Sequence, residues 1–384
     1  MTERNFKWLS FLVSLVLVGL LTVIWAQMNR YDPEHLQLVN QAAVDTFLKA
    51  NWESKLPPDT EPTIHIKTGI FIQSLKFFDS SEVNVTGYIW QHYQDGVNDS
   101  LKPGPAEVGF VLPEQVNSGS DITPREVYRI RRGDEEVIGW YFEATLRQPF
   151  EYSTYPFDHK TVWVRMWPKD FSRNVVLVPD LESYDATGTK DIFGIDATMV
   201  MGPWQRTDTF FDYQLGSFDT NFGIENYVGK SKFPELRYNF VICRRFGDAF
   251  IVHLLPLLMV VALLFGTLLT ITEDPDLSSR FGFSASGVMG SCSALFFVVL
   301  LAHMQLRDQF AGSSVVYIEY FYFLMYILLV TGAAYAYLFA AKRARWCLFI
   351  HDRDSLALKV GFWPLVLVCM IGISLAVLLR HSDI

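Results

Sequence analysis

The sequence predicts an all-β sandwich held outside a bilayer, followed by an all-α four-helix transmembrane bundle, with an extra N-terminal transmembrane or signal helix in front. Three observations predict it. Near-continuous apolar runs fall at Trp8–Ala26, Ala249–Ile271, Phe281–Ala302, Val315–Ala341 and Val360–Leu379. Each is long enough to cross a hydrocarbon core of ~30 Å as a helix. Between the first run and the other four, apolar and polar residues alternate with period two, the mark of half-buried strands. The formal charge of −9 lies in that same stretch, where residues 30–245 carry 22 Lys+Arg against 31 Asp+Glu. This divides the chain into an anchor or signal peptide (1–29), an amphipathic helix and linker (30–62), a β-sandwich (63–245) and a transmembrane domain (246–384).

The first run is either an uncleaved anchor or a signal peptide ending near Ala26, although it exceeds the ~7–15-residue core of a secretory signal. Pro33–Trp52 reads as an amphipathic helix, with Leu36, Val39, Val44, Phe47 and Leu48 among polar residues and Pro57–Pro58 as a stop. Ile64, Ile66, Ile70 and Ile72, then Val83, Val85, Gly87 and Ile89, form two alternating strands joined at Asp79–Ser80–Ser81. Further strands are expected at Val108–Leu112, Glu126–Ile130, Val137–Leu146, Thr161–Trp167, Asn174–Val178, Asp208–Phe218 and Glu235–Cys243. About ten short strands without a long helical period predict an antiparallel, immunoglobulin-like sandwich.

The four cysteines lie at 243, 292, 347 and 369. No disulfide can therefore staple residues 30–242, and the core must hold that domain. Lys342, Arg343, Arg345, Arg353 and Lys359 between the last two runs place that short loop in the cytoplasm, so the acidic domain lies on the opposite side. The expected location is the cell membrane, multi-pass, with the β domain extracellular or periplasmic. An acidic balance disfavours nucleic acid. There is no His-Glu-x-x-His, no Gly-x-Ser-x-Gly and no paired-Cys metal pattern, so the expectation is a non-enzyme without catalytic residues, metal or cofactor. Gly223–Ser231 has five residues between its glycines where a phosphate loop has four, and reads as a turn.

The run Phe281–Ala302 is uncharged but not uniformly oily. One helical face reads Gly282, Ser286, Met289, Ser293, Phe296, Leu300, small or hydroxylated at one end and bulky at the other. Such a face suits either close packing of helices or a water-filled path with a hydrophobic constriction.

Tyr155–Pro156–Phe157–Asp158, continuing as HKTVWVRMWPKDFSRNVVLVPDLE, resembles the loop between two strands of the pentameric ligand-gated ion channels, the Cys-loop receptor superfamily, and within it the bacterial proton-gated type. Arg244, twelve residues before Pro256 of a Leu255–Pro256 step, resembles that family's arginine before the first channel helix. Gly69–Ile70–Phe71–Ile72 and Trp90–Gln91–His92–Tyr93–Gln94–Asp95 resemble its first two strands. The resemblance covers roughly residues 60–380. Gln148 and Val162 stand where eukaryotic members have the bracketing disulfide, so the chain is similar to the cysteine-free prokaryotic type. The first ligand loop is reduced to Leu112–Pro113–Glu114, and Gln305–Ser314 lacks the family's proline.

The resemblance implies a homopentamer in a lipid bilayer, gated by a small-molecule ligand or protons and passing ions along the helix 281–304. It implies coupling between Asp158 and Arg244, where a bidentate carboxylate–guanidinium link could carry force. It implies ligand-site residues Trp90, Glu114, Tyr141, Trp167 and Phe222 or Tyr227, aromatic faces with a carboxylate suited to an organic cation. His253, inside an apolar run, and His303, near the outer mouth of the pore helix, are proton-sensing candidates, while Glu319 near the outer end of the fourth run reads as interfacial. Glu273, Asp274 and Asp276, repeated five times, would draw cations, with Arg280 opposing them. The other reading is a membrane-anchored binding or sensory receptor of the same architecture that does not conduct.

Overall fold

The computed structural model of the chain describes residues 3–31, 37–58, 60, 62–78, 81–94, 108–116, 122–185, 192–225, 227, 229, 231–272, 276, 284–310, 313–341 and 356–382. Gly282, Glu273, Asp274, Arg280, the turn residues Asp79 and Ser80, and the basic residues 342–353 lie outside them. The chain divides into two compact units. One comprises residues 31–150 and 159–243, and the other residues 1–30, 151–158 and 244–384.

The first unit is β-rich, with ten strands among the described residues: β1 Ile64–Phe77, β2 Glu82–Gln94, β3 Phe110–Val111, β4 Gln115–Val116, β5 Ile122–Arg132, β6 Glu135–Arg147, β7 His159–Pro168, β8 Val175–Pro179, β9 Trp204–Gly216 and β10 Phe233–Arg244. One sheet runs β4-β6-β2-β1-β8 with β5 also paired to β6, and the other runs β3-β7-β10-β9. All the expected strands are present, most of them longer than the sequence pattern, but Val108–Leu112 is reduced to Phe110–Val111, Asn174–Val178 is shifted by one residue, and β4 is added. The sandwich is not wholly antiparallel, because β8 pairs with β1 in parallel, Ile64 opposite Val175 through Thr68 opposite Pro179. Val175–Pro179 is buried along its length, as a short strand covered on both faces should be.

Ile70, Ile89 and Phe142 from the first sheet and Met166, Leu236 and Tyr238 from the second share one core. Helix α2, Gln41–Asn51, adds Val44 and Leu48 to it. It is shorter than its apolar pattern because Asn40 is the N-cap: its side chain accepts the Ala43 amide, so the helix starts there. Phe142→Ala removes a fully buried ring and is expected to destabilise the domain by about 3–5 kcal/mol, measurable as a lower denaturation midpoint.

The second unit is helical. Among the described residues, five helices are each long and apolar enough to cross a membrane: α1 (Arg4–Met28 of Glu3–Met28), α3 Phe246–Leu269, α4 Ala285–Gln309, α5 Glu319–Ala341 and α6 (Leu356–Arg380 of Leu356–Ser382). The sequence sets α1 apart from a block of four, but here it lies along α6, where Ser10 donates to the Val360 carbonyl at 2.5 Å. In α3 the turn Phe250–Leu254 widens into a π-turn immediately before Pro256. Proline has no N–H and its ring presses on the preceding turn, so the helix opens there. Gly332 in α5 admits a close approach, since a Cβ there would sit 3.2 Å from Leu264 of α3 and 3.9 Å from Cys292 of α4.

Candidate functional site

The loop Glu151–Asp158 belongs to the helical unit. Tyr155, Phe157 and Asp158 are buried, and the Tyr155–Pro156 bond is cis. Arg244 Nε lies 3.6 Å from Asp158 Oδ1, an ion-pair distance. The guanidinium also lies over two rings, 5.0 Å from the centre of Tyr155 and 5.9 Å from that of Phe310. The two residues therefore meet at ion-pair distance but not in the expected bidentate link, since 3.6 Å is beyond hydrogen-bond reach, and the cation lies between a carboxylate and π-faces, a geometry that favours Arg over Lys. Burial pushes the Tyr155 phenol up to about 12; Arg244 opposes the shift and Asp158 adds to it. The ring is a neutral hydrophobic post at ordinary pH, packed on Phe310 at 4.6 Å and on His253 at 5.9 Å.

Helix α4 starts at Ser284, whose hydroxyl accepts the Gly287 amide at 3.0 Å. Its buried stripe, Val288, Cys292, Val299 and Leu306, recurs at helical spacing and faces the other helices of the chain. Of the stripe predicted to line a path, Ser286, Met289 and Ser293 are exposed, whereas Phe296 and Leu300 are partly covered, Phe296 packing on Tyr326 of α5 at 5.3 Å. One outward face reads Ser286, Gly290, Ala294, Phe297, Leu301 and Met304, with Phe297 and Leu301 each 62 % exposed; Met289, Ser293 and Val298 beside it are exposed as well. In its bulky half this face is displaced from the predicted one by one residue, ~100° of rotation. The hydroxyls of Ser291 and Ser293 bond back to the carbonyls of Gly287 and Met289, which satisfies them within the helix.

His303 sits in a polar knot. Its Nδ1 is 3.0 Å from the Tyr326 hydroxyl and its Nε2 3.4 Å from Glu319. Glu319 also meets Arg307 at 3.4 Å and accepts the Val316 amide at 2.8 Å. Glu319, read from the sequence as interfacial, is the first residue of α5, only 2 % exposed and held by a histidine, an arginine and a backbone amide. His253 is buried in the π-turn of α3 beside Tyr155, outside this knot.

In the β unit, four of the predicted ligand-site residues come together and two do not. Trp167, Phe222 and Tyr227 join Phe171 and Phe218 in an aromatic cluster over a recess. Phe222 adopts a φ of 52°, a left-handed conformation uncommon for a non-glycine residue. Glu114 reaches the same region but is paired with Arg165 at 2.6 Å; Arg165 also meets the buried Glu235 at 2.7 Å and lies 5.8 Å from the Trp167 ring. The carboxylate expected to attract an organic cation therefore already has one. Tyr141 packs against Tyr88, opposite it in the β2–β6 ladder. Trp90 packs on Tyr184 and fills the space left by Gly69, where a Cβ would come within 2.2 Å of its ring.

That placement exposes a group not foreseen from the sequence. Trp90 Nε1 donates to Asp180 at 2.8 Å, and His92, two residues on along the same face of β2, bridges Asp180 at 3.2 Å and Glu135 at 2.8 Å. The hydrogen bond to Asp180, joined by Glu135, raises the His92 pKa despite burial. Burial alone would raise Asp180, but hydrogen bonds from His92, Ser183 and Trp90 hold it down at about 2. The signs follow. His92 contributes stability in full below its unfolded value, ~6.5, and loses it as pH rises through its higher folded value; Asp180 contributes above ~3.9 and loses it toward 2. Stability from this triad is therefore greatest between about pH 4 and 6.5. His92→Gln is expected to flatten the fall in denaturation midpoint above that window, measured across a pH series; an unchanged slope would remove His92 from the account.

No known family model matches the chain, and no curated protein matches it.

Proposed function

We propose that the protein is a ligand- or proton-gated ion channel of the pentameric ligand-gated type, with an immunoglobulin-like sandwich sensing the stimulus and helices α3–α6 forming the four-helix channel block. One observation carries this reading: α4 buries one stripe against its own chain and leaves outward a face that changes from Ser286, Gly290 and Ala294 to Phe297, Leu301 and Met304. A face with a small, polar half suits a water-filled axis shared by copies of the helix better than lipid. Its bulky half suits a constriction that closes by dewetting. The Tyr155–Pro156–Phe157–Asp158 loop and Arg244 stand at the chain ends of β7 and β10, so strand movement would reach them through the backbone. His92, His303 and the Trp167–Phe222–Tyr227 cluster supply sites for protons or a small ligand. Cations are the proposed permeant ions, drawn by acidic residues such as Asp276 ahead of α4.

The second reading, a receptor of the same plan that does not conduct, is favoured by Gly287 and Gly290 within α4, each of which lowers helix stability. Reconstitution into planar bilayers with current recording across a pH series separates the two. Stimulus-dependent current is the expected result, and a folded oligomer silent at every pH and to a ligand panel supports the receptor.

A further inference from the structure

We infer that α1 is a positioning element of the helical unit, and that Trp25 near its end holds the Glu151–Asp158 loop against the starts of α3 and α5. A simple anchor needs only apolar length, and a terminal tryptophan commonly turns its N–H toward lipid headgroups. Here the indole is committed to protein. Its Nε1 donates to the Tyr317 hydroxyl at 2.8 Å, and its ring lies 6.0 Å from Phe157 and 5.7 Å from Phe246. Phe157 and Phe246 stack on each other at 5.2 Å. The loop, the first turn of α3 and the segment before α5 thus meet at one side chain contributed by α1.

The hydrogen bonds at this point have a direction. Because Tyr317 accepts from the indole, its own proton is available to Ser374 in α6, 2.6 Å away, and Ser374 donates to the Met370 carbonyl at 2.7 Å. The chain Trp25–Tyr317–Ser374–Met370 ties α1 to α6 across the approach to α5, in surroundings where each bond reinforces the next. The Tyr317 amide donates to the Ser153 carbonyl at 2.8 Å, which fastens the loop from the other side. Leu21 and Ile24 are buried on the same end of α1. Replacing Trp25 would free Tyr317 to rotate and leave Phe157 without one of its neighbours, so the loop carrying Asp158 would loosen while the sandwich core stayed as it is.

The consequence for opening rests on the channel reading; the packing claim does not. The test uses full-length protein in lipid nanodiscs, comparing wild type, Trp25→Phe and Trp25→Ala by hydrogen exchange and by current. Exchange in peptides covering 151–158 and 313–318 is expected to rise about tenfold in Trp25→Ala, with a β2 peptide unchanged. Trp25→Phe, which keeps a ring and loses the N–H, is expected to raise 313–318 more than 151–158. The stimulus giving half-maximal current shifts in the Ala variant with little change in maximal current, and partly returns in the Phe variant. Unchanged exchange in both variants overturns the inference, as does raised exchange with an unmoved midpoint in a conducting wild type. A wild type that passes no current defeats the channel reading instead, and exchange alone then decides for or against Trp25. If Trp25→Ala fails to assemble, the Phe variant decides by the same exchange criterion.

Discussion

Asp158→Asn is expected to lower stability by about 3–5 kcal/mol, the usual cost of removing one partner of a buried ion pair, and to abolish stimulus-evoked current. The substitution keeps the side-chain shape and removes its charge. Asp158 is 1 % exposed, and the guanidinium it faces lies over Tyr155 and Phe310, so a neutral amide there leaves the cation less compensated. At 3.6 Å the attraction is ~4–5 kcal/mol for an effective dielectric of 20, enough to matter and well short of a dry-interior value. Arg244→Gln alone removes the cation from beside the buried Asp158 carboxylate. The double variant removes both charges and is expected to be less destabilised than the sum of the two single variants. Thermal midpoints of the four proteins measure this; strict additivity would mean that the two residues act independently.

Leu301→Ser is expected to open the resting channel, shifting activation by tenfold or more toward weaker stimulus, while Leu300→Ser has a much smaller effect. A hydrophobic constriction closes because water withdraws from it, and one hydroxyl per copy around a shared axis rewets it. Leu301 points fully outward and Leu300 is partly covered by its neighbours, so the two adjacent leucines separate the outward face from the stripe drawn from the sequence. A larger effect at Leu300 would restore that stripe. Equal, small effects at both would take α4 away from any ion path.

These two leucines also show where the sequence stops being informative. Phe296–Phe297 and Leu300–Leu301 are like pairs, so a hydrophobic pattern cannot say which member faces inward; Tyr326 and the Gly332 approach decide it. The strands were legible because alternation is local. The parallel β1–β8 pairing was not, since it joins segments distant in the chain, and β4 is only two residues long. The Asp158–Arg244 pair was reached through resemblance to a family, not through spacing. His92 was overlooked because its partners Asp180 and Glu135 come from other elements, and the only local sign was its place two residues after Trp90. Glu114 was legible as an acid near aromatics, but its pairing with Arg165 on another strand was not. Nor does an apolar run indicate whether it stands alone; α1 reads as an anchor until Trp25 and Ser10 are seen bonded to other helices.

In the proposed channel, copies of α4 turn one face to a common axis. Electron microscopy of the full-length protein in nanodiscs, viewed along the membrane normal, tests it most directly. The expected image is a five-fold ring around a central opening with Ser286, Gly290, Ala294, Phe297, Leu301 and Met304 on its wall. A single copy, or an assembly in which that face of α4 meets lipid and the centre is closed by another helix, would contradict it.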